Sequence, residues 1–389
     1  MNKANSRGKP RVLFVLPATV MGGAEIRLLQ MVNQFRSIEP ILLGHARVID
    51  SWDLNIESYL LDSYPGCVHP YPYDPLNVAK YARAIATVGN AVSADGTFGW
   101  MHTGSAFVAA AKTFYRLRGG TAGCVLGPLT TNFRLMGRAP TLYERFLFRR
   151  TCRALDLTVT CSRGVADDLH SNFGAPRGKL LTIHNGVDVN RSIRLAGRED
   201  EYDGPQKRRP WVVAAGRLSM EKAFDVLIES FGKVSESLDA DLMILGEGPE
   251  RARLEAIIDQ RGLQGRVCLV GHKQNPFPWL ARADVFVSSS RIEGFGNSLV
   301  EAMGLGVPIV ATACPWGPVE ILEGYEAGLL VPVDDIDQLA GQIVAVLSDS
   351  DLRRQLADAG KRRAQDFTFE RMLGGYEDVL VRLFGNATD

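Results

Sequence analysis

No stretch of this 389-residue chain approaches the roughly 20 consecutive apolar residues that a membrane-spanning helix requires. The opening MNKANSRGKPRVLFVLP sets basic residues around an apolar run too short for the core of a secretory signal. A cytoplasmic protein is expected, with at most peripheral contact on the inner membrane face. The six cysteines, Cys67, Cys124, Cys152, Cys161, Cys268 and Cys314, form no C-x-x-C pair and no Cys/His cluster. That argues against a disulfide framework and a zinc site, and predicts reduced, mostly buried thiols. The absence of a G-x-G-x-x-G string argues against a nicotinamide or flavin dehydrogenase. The Asp-x-Asp strings Asp239–Asp241 and Asp335–Asp337 precede a strand and start a helix, so they are read as turns and caps and no bound metal is expected. With 46% apolar and 23% charged residues the chain is globular, and its length suggests two domains.

The formal net charge is zero, yet the two signs are unevenly spread. Residues 1–188 carry 21 Lys and Arg against 13 Asp and Glu, and the remainder carries 23 against 31. The basic excess is concentrated between Lys112 and Lys179, where Arg145, Arg149, Arg150 and Arg153 are interleaved with Phe146, Leu147 and Phe148. Such a stretch suits an anionic partner; it equally suits an ordinary amphipathic helix with solvated arginines. It contains no recognisable nucleic-acid-binding module, and no nucleic acid is expected as a partner.

Val12–Leu16 is an apolar run of strand length, Gly22-Gly23 a turn, and Ala24–Phe35 repeats apolar residues at helical spacing. Strand and helix patterns alternate onward through Trp100 and Ala106–Leu117, Val125-Leu126 and Leu142–Leu155, and Thr158–Thr160 and Val165–Phe173, closing on Leu180–Ile183. From Asn190 to Pro210 the chain is polar and without periodicity, which predicts a connection. A second series then places strands at Trp211–Ala215, Leu242–Leu245, Val267–Val270, Val285–Ser288 and Ile309–Ala311. Helical patterns at Phe224–Ser235, Arg251–Arg261, Ser298–Gly304 and Gln338–Leu347 lie between or after them, and two more fill Asp351–Phe384. The expected fold class is α/β, with two facing Rossmann-like, doubly wound parallel-sheet domains. These cover residues 1–188 and 211–370, with a linker at 189–210 and a terminal helix at 371–389.

In open parallel sheets the ligand lies beyond the carboxyl ends of the strands, so the loops after the strands are the candidate sites. After Trp211–Ala215 come Gly216 and Arg217, with Lys222 five residues beyond the arginine. A forked guanidinium and a mobile ammonium suit a diphosphate leaving group, and two solvated surface charges are the plainer alternative. After Ser288 the run Glu293-Gly294-Phe295-Gly296-Asn297-Ser298 leads to Glu301 in the next helix. Its glycines allow close approach of a ligand, and the helix start near Asn297 and Ser298 offers N–H groups to an anion. Gly22 and Gly23 open a helix in the first domain in the same way. His102, at a strand end, is the first-domain candidate for general base or acceptor positioning; capping the following helix is the alternative. His184 and His272 rank below it.

GGAE at 22–25, HNGVD at 184–188, GRLSMEK at 216–222, GEGP at 246–249, VGH at 270–272 and EGFGNSLVE at 293–301 occur in an order and spacing that resemble the retaining nucleotide-sugar glycosyltransferases of family 4. The resemblance spans nearly the whole chain. It implies the GT-B fold, with the acceptor held mainly by the first domain, the donor mainly by the second, and the terminal helix often crossing back to the first. It makes Arg217 and Lys222 the diphosphate-binding pair, Glu301 the ribose carboxylate and Glu293 the donor-sugar carboxylate. Gly22 and Gly23 match the loop closing over the donor, Gly246, Glu247 and Gly248 line the nucleotide pocket, and Val270 and Gly271 lie where the base is held. Thr312–Ile321 is similar to a D-C-P-x-G-P-x-E-I-L run of a branch that often builds lipid-linked or cell-surface oligosaccharides, with Ala313 in place of the usual Asp. Many relatives carry a histidine shortly after the strand at Cys124–Leu126, where this chain has Gly127-Pro128-Leu129. Either His102 or a backbone carbonyl takes over, or the donor sugar is gripped differently.

The expected reaction is retaining transfer of a hexose or N-acetylhexosamine from a nucleoside diphosphate sugar, UDP-linked by analogy with that branch, to an acceptor hydroxyl. The acceptor expected is a glycan or glycolipid, carried on a polyprenyl diphosphate, with Arg134–Arg153 against the anionic inner membrane surface. No cofactor beyond the donor is implied. A nucleotide-sugar epimerase of the same architecture and a non-catalytic nucleotide-sugar-binding protein are the competing readings.

Overall fold

The computed structural model describes residues 8–385 apart from 71, 73, 136 and 323–325. The described chain divides into two compact units, one running up to Ile183 and resuming at Met372, the other comprising His184–Arg371.

In the first unit seven parallel strands form one sheet: β1 (Arg11–Leu16), β2 (Glu39–Gly44), β3 (Glu57–Leu60), β4 (Gly96–Gly99), β5 (Gly120–Val125), β6 (Leu157–Thr160) and β7 (Leu180–Thr182). Their order is β3-β2-β1-β4-β5-β6-β7, so the winding reverses between β1 and β4. Central strands are apolar end to end, as a sheet covered on both faces requires: every residue of β1 after Arg11 is buried. Helices Pro75–Ala91 and Met101–Phe114 cover it, with Tyr81 stacked on Phe107 at 4.4 Å. Between Phe35 and Trp100 the periodicity assigns no element, yet β2, β3 and the helix Pro75–Ala91 lie there. Pro75 stands at the first helical position and the Asp74 side chain accepts from the Leu76 N–H, a helix start that hydropathy alone does not mark.

The second unit holds β8 (Trp211–Ala215), β9 (Asp241–Leu245), β10 (Val267–Gly271), β11 (Val285–Ser288), β12 (Ile309–Thr312) and β13 (Leu329–Val331), all parallel, in the order β10-β9-β8-β11-β12-β13. Reversal here falls between β8 and β11. The doubly wound parallel sheets expected from the alternation are present in both units.

The segment 189–210, expected as a linker without periodic structure, begins with a helix. Val189–Ala196 is a helix capped by Asp188, whose carboxylate accepts from the Arg191 N–H at 2.7 Å, and Val189 is buried where Gly304 leaves room for it. Further on, Tyr202 packs on Trp279 at 5.0 Å and Arg282 lies over the Tyr202 ring at 3.9 Å, while Glu199 pairs with Arg282 and Asp203 with Lys273. Oppositely charged partners far along the chain hold this segment onto the second unit, and a local periodicity search does not register them. The first unit correspondingly ends at Ile183 rather than at 188.

The last helix, Phe369–Phe384, enters the first unit from Met372. Its Tyr376 packs 5.9 Å from Phe98 and 6.0 Å from Trp100. Phe384 lies over Gly96 and Gly120, where a Cβ on either glycine would overlap its ring.

Candidate functional site

Because every strand of the second sheet runs the same way, the loops after β8, β9, β10, β11 and β12 emerge on one edge, and the reversal beside β8 opens a crevice there. The β8 loop ends in the turn Met220–Lys222, and the Lys222 ammonium meets the Glu293 carboxylate from the β11 loop. Ser290 Oγ donates to the same Glu293 Oε1 at 2.9 Å, and Ser289 Oγ donates to the Lys222 carbonyl at 2.9 Å. The Arg291 N–H donates to the Glu221 carbonyl at 2.8 Å. Glu293 is also gripped through its backbone: its N–H donates to the Pro315 carbonyl at 3.1 Å, and its carbonyl accepts from Trp316 N–H at 3.0 Å. Three loops thus converge on one lysine–glutamate pair, whose side chains are only 21% and 12% exposed.

Next to that pair the chain turns into the helix Asn297–Gly304. Gly296, at φ +111, is its N-cap and offers no side-chain acceptor, so the first N–H groups of the helix have no capping side chain. Phe295 is buried against His184 (5.6 Å) and Phe367 (5.4 Å), and Asn185 Nδ2 donates to Asn297 Oδ1 at 3.4 Å. Ser298 and Glu301 are half-buried on this helix.

Gly246, at φ +140, lies so close to Gly216 that a Cβ would overlap the Gly216 carbonyl, and its N–H donates to the Gly271 carbonyl at 2.9 Å. Glu247 accepts from the Leu218 N–H through its carbonyl at 2.9 Å, and its carboxylate pairs with Arg251 at 2.8 Å. Gly271, at φ +85, completes this wall. Arg217 departs from the cluster: its guanidinium is 71% exposed and bonds Glu221 at 3.1 Å. Burial pushes the Glu221 carboxyl up, but hydrogen bonds from Ser219, its own backbone and Arg217 bring it below its ordinary value.

In the first unit, Gly22 caps the helix Gly23–Val32 after β1, and Trp100 Nε1 donates to the Ala24 carbonyl at 2.9 Å, tying the loops after β1 and β4 together at the reversal. His102 sits in the first turn of Met101–Phe114, edge-on to Phe148 at 6.0 Å. Burial lowers its pKa to about 4, so at neutral pH it is an uncharged imidazole and a weak base. It does not cap the helix, whose N-cap is Trp100.

Two matches now bear on this arrangement. The model for "Glycosyl transferases group 1" matches residues 209–349 and that for "Glycosyltransferase Family 4" residues 98–191. The lipopolysaccharide core biosynthesis glycosyltransferase LpsE of Rhizobium meliloti is 35% identical over 247 residues, covering 63% of this chain and 68% of that protein. The chain belongs to the family 4 glycosyltransferases. N-acetylgalactosamine-N,N'-diacetylbacillosaminyl-diphospho-undecaprenol 4-alpha-N-acetylgalactosaminyltransferase of Campylobacter jejuni is 30% identical over 227 residues, 58% of this chain and 60% of that enzyme. The match thus spans 60–68% of the length of these two relatives. The crystal structure of Anabaena HepE in complex with UDP superposes on 96% of this chain and 100% of HepE, with a TM-score of 0.76 and 20% identity, which marks the fold as GT-B.

Within this family member, sequence reasoning gives no role to Ser290 or Trp316 and ranks His184 below His102, whereas His184 Nε2 lies 3.0 Å from Glu320 Oε2. Glu320 closes the C-P-x-G-P-x-E-I run, which is the one signal that pointed to it. Cys314 of that run is no nucleophile, since burial and then the Glu293 charge push its thiol up to about 12. Of the acidic pairs outside the site, Asp239 and Asp241 are held by arginines and Asp335 caps a helix. Asp241 bonds Arg266 at 3.1 Å, Asp239 bonds Arg209 at 2.9 Å, and Asp335 accepts from the Gln338 N–H at 2.9 Å.

Proposed function

We propose that this chain transfers a hexose or N-acetylhexosamine from a UDP-sugar to a hydroxyl of a glycan on a polyprenyl diphosphate, with retention of the anomeric configuration. The observation that carries the reading is the Lys222–Glu293 pair beside the uncapped start of Asn297–Gly304, at the point where the second sheet reverses. A diphosphate in that crevice meets the Lys222 ammonium and the helix N–H groups, both fixed before the reaction. Arg217, exposed and held only by Glu221 on the neighbouring turn, adds a forked donor when it exchanges that partner for the diphosphate. Glu301 takes the ribose diol, and Gly216, Gly246, Glu247 and Gly271 wall the nucleotide. Glu293, held at its backbone and by Ser290, takes the donor-sugar hydroxyls; Gly294, Phe295, Gly296, Asn297 and Ser298 shape the floor beneath them.

As the anomeric C–O bond breaks, negative charge grows on the departing diphosphate. The acceptor hydroxyl attacks from the same face and its proton passes to the leaving phosphate oxygen, so no protein nucleophile is needed. His102, neutral, positions the acceptor by hydrogen bonding rather than as a general base. The relatives support the acceptor class: one is named for a diphospho-undecaprenol substrate and another for lipopolysaccharide core synthesis. HepE with bound UDP supports the donor base. The basic stretch Arg134–Arg153 gives peripheral contact with an anionic inner membrane face. No helix of the described residues is long and apolar enough to cross a membrane.

The test is incubation with a panel of nucleotide sugars and membrane extract, with and without chelator, following released nucleoside diphosphate and labelled glycolipid. Chelator-resistant transfer from one UDP-sugar into lipid, abolished by Glu293→Ala, is expected. Conversion of the donor to another nucleotide sugar without acceptor would make the chain an epimerase, and nucleotide binding without any turnover would make it a binding protein.

A further inference from the structure

An apolar groove of about 530 Å³ opens in the first unit between the helices Pro75–Ala91, Met101–Phe114 and Leu142–Ala154. Val78, Phe114, Tyr143, Phe146 and Leu147 line it, and Arg150 is the one basic residue in its wall. Phe114 is 74% and Phe146 60% exposed, a large apolar area to leave in water. The apolar surface continues past the groove to Leu76 (73%) and Leu142 (87%), which do not line it.

On the helix Leu142–Ala154, positions 142, 145, 146, 149, 150 and 153 fall at the i, i+3, i+4, i+7, i+8, i+11 spacing of one face. That face is therefore two apolar tips and four arginines, Arg145, Arg149, Arg150 and Arg153, all exposed. None of the four is paired with a carboxylate among the described residues. The acid on the same helix, Glu144, is turned inward and bound to Arg138 at 2.6 Å, which holds its carboxyl down at about 2.

We propose that this face seats on an anionic bilayer and that one phospholipid acyl chain enters the groove, its phosphate meeting Arg150. The proposal deepens the peripheral membrane contact of the preceding reading by giving it a chain-binding site on two further helices. A small apolar ligand would fill the groove and leave Leu76 and Leu142 bare, whereas a bilayer covers the groove and the rim together. The unpaired arginines require the surface to be anionic.

Flotation of the full chain with phosphatidylcholine vesicles, with and without phosphatidylglycerol, tests this. Binding only to the phosphatidylglycerol vesicles is expected. Phe114→Ser with Phe146→Ser weakens it by about tenfold or more, from the apolar area lost. Arg149→Ala weakens it about fivefold at physiological salt. Ala79→Phe occupies the groove while leaving the exposed apolar and basic side chains in place, and it too weakens binding about tenfold. Equal binding by Ala79→Phe and the parent chain would overturn the groove, and failure of the parent chain to bind phosphatidylglycerol vesicles would overturn the whole proposal. Thermal unfolding and nucleotide binding, measured on each variant without vesicles, are expected to be unchanged. Vesicle binding needs neither donor nor acceptor, so its loss leaves the transferase reading intact, and absence of transfer leaves vesicle binding to be judged alone.

Discussion

Lys222 and Glu293 come from loops 71 residues apart in the chain and share one contact. Both residues are anchored at the backbone, the carbonyl of Lys222 and the N–H and carbonyl of Glu293 being hydrogen-bonded into neighbouring loops, and the Glu293 carboxylate is held by Lys222 and Ser290. Such preorganisation matters most when charge appears on the leaving group, so Lys222→Ala is expected to lower turnover by roughly 10²–10³-fold while changing donor affinity less. Steady-state kinetics over a range of donor concentrations separates the two effects, and an equal rise in KM with unchanged turnover would contradict it. His102 gives a stability prediction instead. Its pKa in the folded chain is about 4 because it is buried, against an ordinary value near 6.5. Between those pH values the unfolded chain binds a proton that the folded chain does not, so stability rises with pH there and is lost as pH falls from 6.5 towards 4. The loss amounts to at most about 3 kcal/mol. Urea unfolding at pH 4.5 and pH 7 is expected to show this drop in the parent chain and a smaller one in His102→Asn.

The loops of the donor crevice depend on how closely their backbones approach, which two glycines illustrate in opposite directions. Gly246 has φ +140 and a Cβ added there would overlap the Gly216 carbonyl, so Gly246→Ala combines an unfavourable conformation with a backbone clash. A stability loss of at least about 1–3 kcal/mol is expected, together with weakened nucleotide binding because the loops after β8 and β9 must part. Gly341, inside the helix Ile336–Ser348, has open space where its Cβ would go. Gly341→Ala is expected to raise stability by about 0.5–1 kcal/mol and leave nucleotide binding alone. Thermal melts and nucleotide titration of both variants check the contrast. At this scale the sequence was informative wherever a periodic run met a turn: Trp211–Ala215 and Val285–Ser288 are strands over those residues, and the helix expected at Ser298–Gly304 begins one residue earlier. Gly216, Gly246, Gly294 and Glu293 also stand in strand-end loops, whereas Gly271 ends β10 itself and Gly23 begins a helix. Trp316 and Ser290 were not legible, because their importance lies in contacts to Glu293 that local spacing does not encode.

Over the whole chain, what escaped the sequence is what long-range pairing decides. The segment at 189–210 looked structureless because its partners, Trp279, Arg282, Lys273 and Gly304, come some seventy or more residues later. The terminal helix presents the same problem, since its own periodicity says nothing of where it docks. The clue lies in two strands of the first unit, where Gly96 and Gly120 occupy paired positions of β4 and β5 and leave a bare patch of sheet. Phe384, 1% exposed, fills that patch, and Tyr376 stands one helical stretch before it against Phe98 and Trp100. A glycine pair in the middle of a sheet would weaken it unless something packs there, so ring and glycines stabilise one another. Phe384→Ala leaves a cavity that the glycines cannot fill and is expected to destabilise the first unit by about 3–5 kcal/mol. Native-state hydrogen exchange reads this by location. Protection in β4 and β5 is expected to fall, while that of β8, β9 and β11 is retained, because those strands belong to a separate core built on residues such as Val212, Leu242 and Val287. Equal loss of protection in both sheets would mean that the two cores open as one, and no loss in either would mean that the Phe384 ring contributes nothing to the sheet it covers.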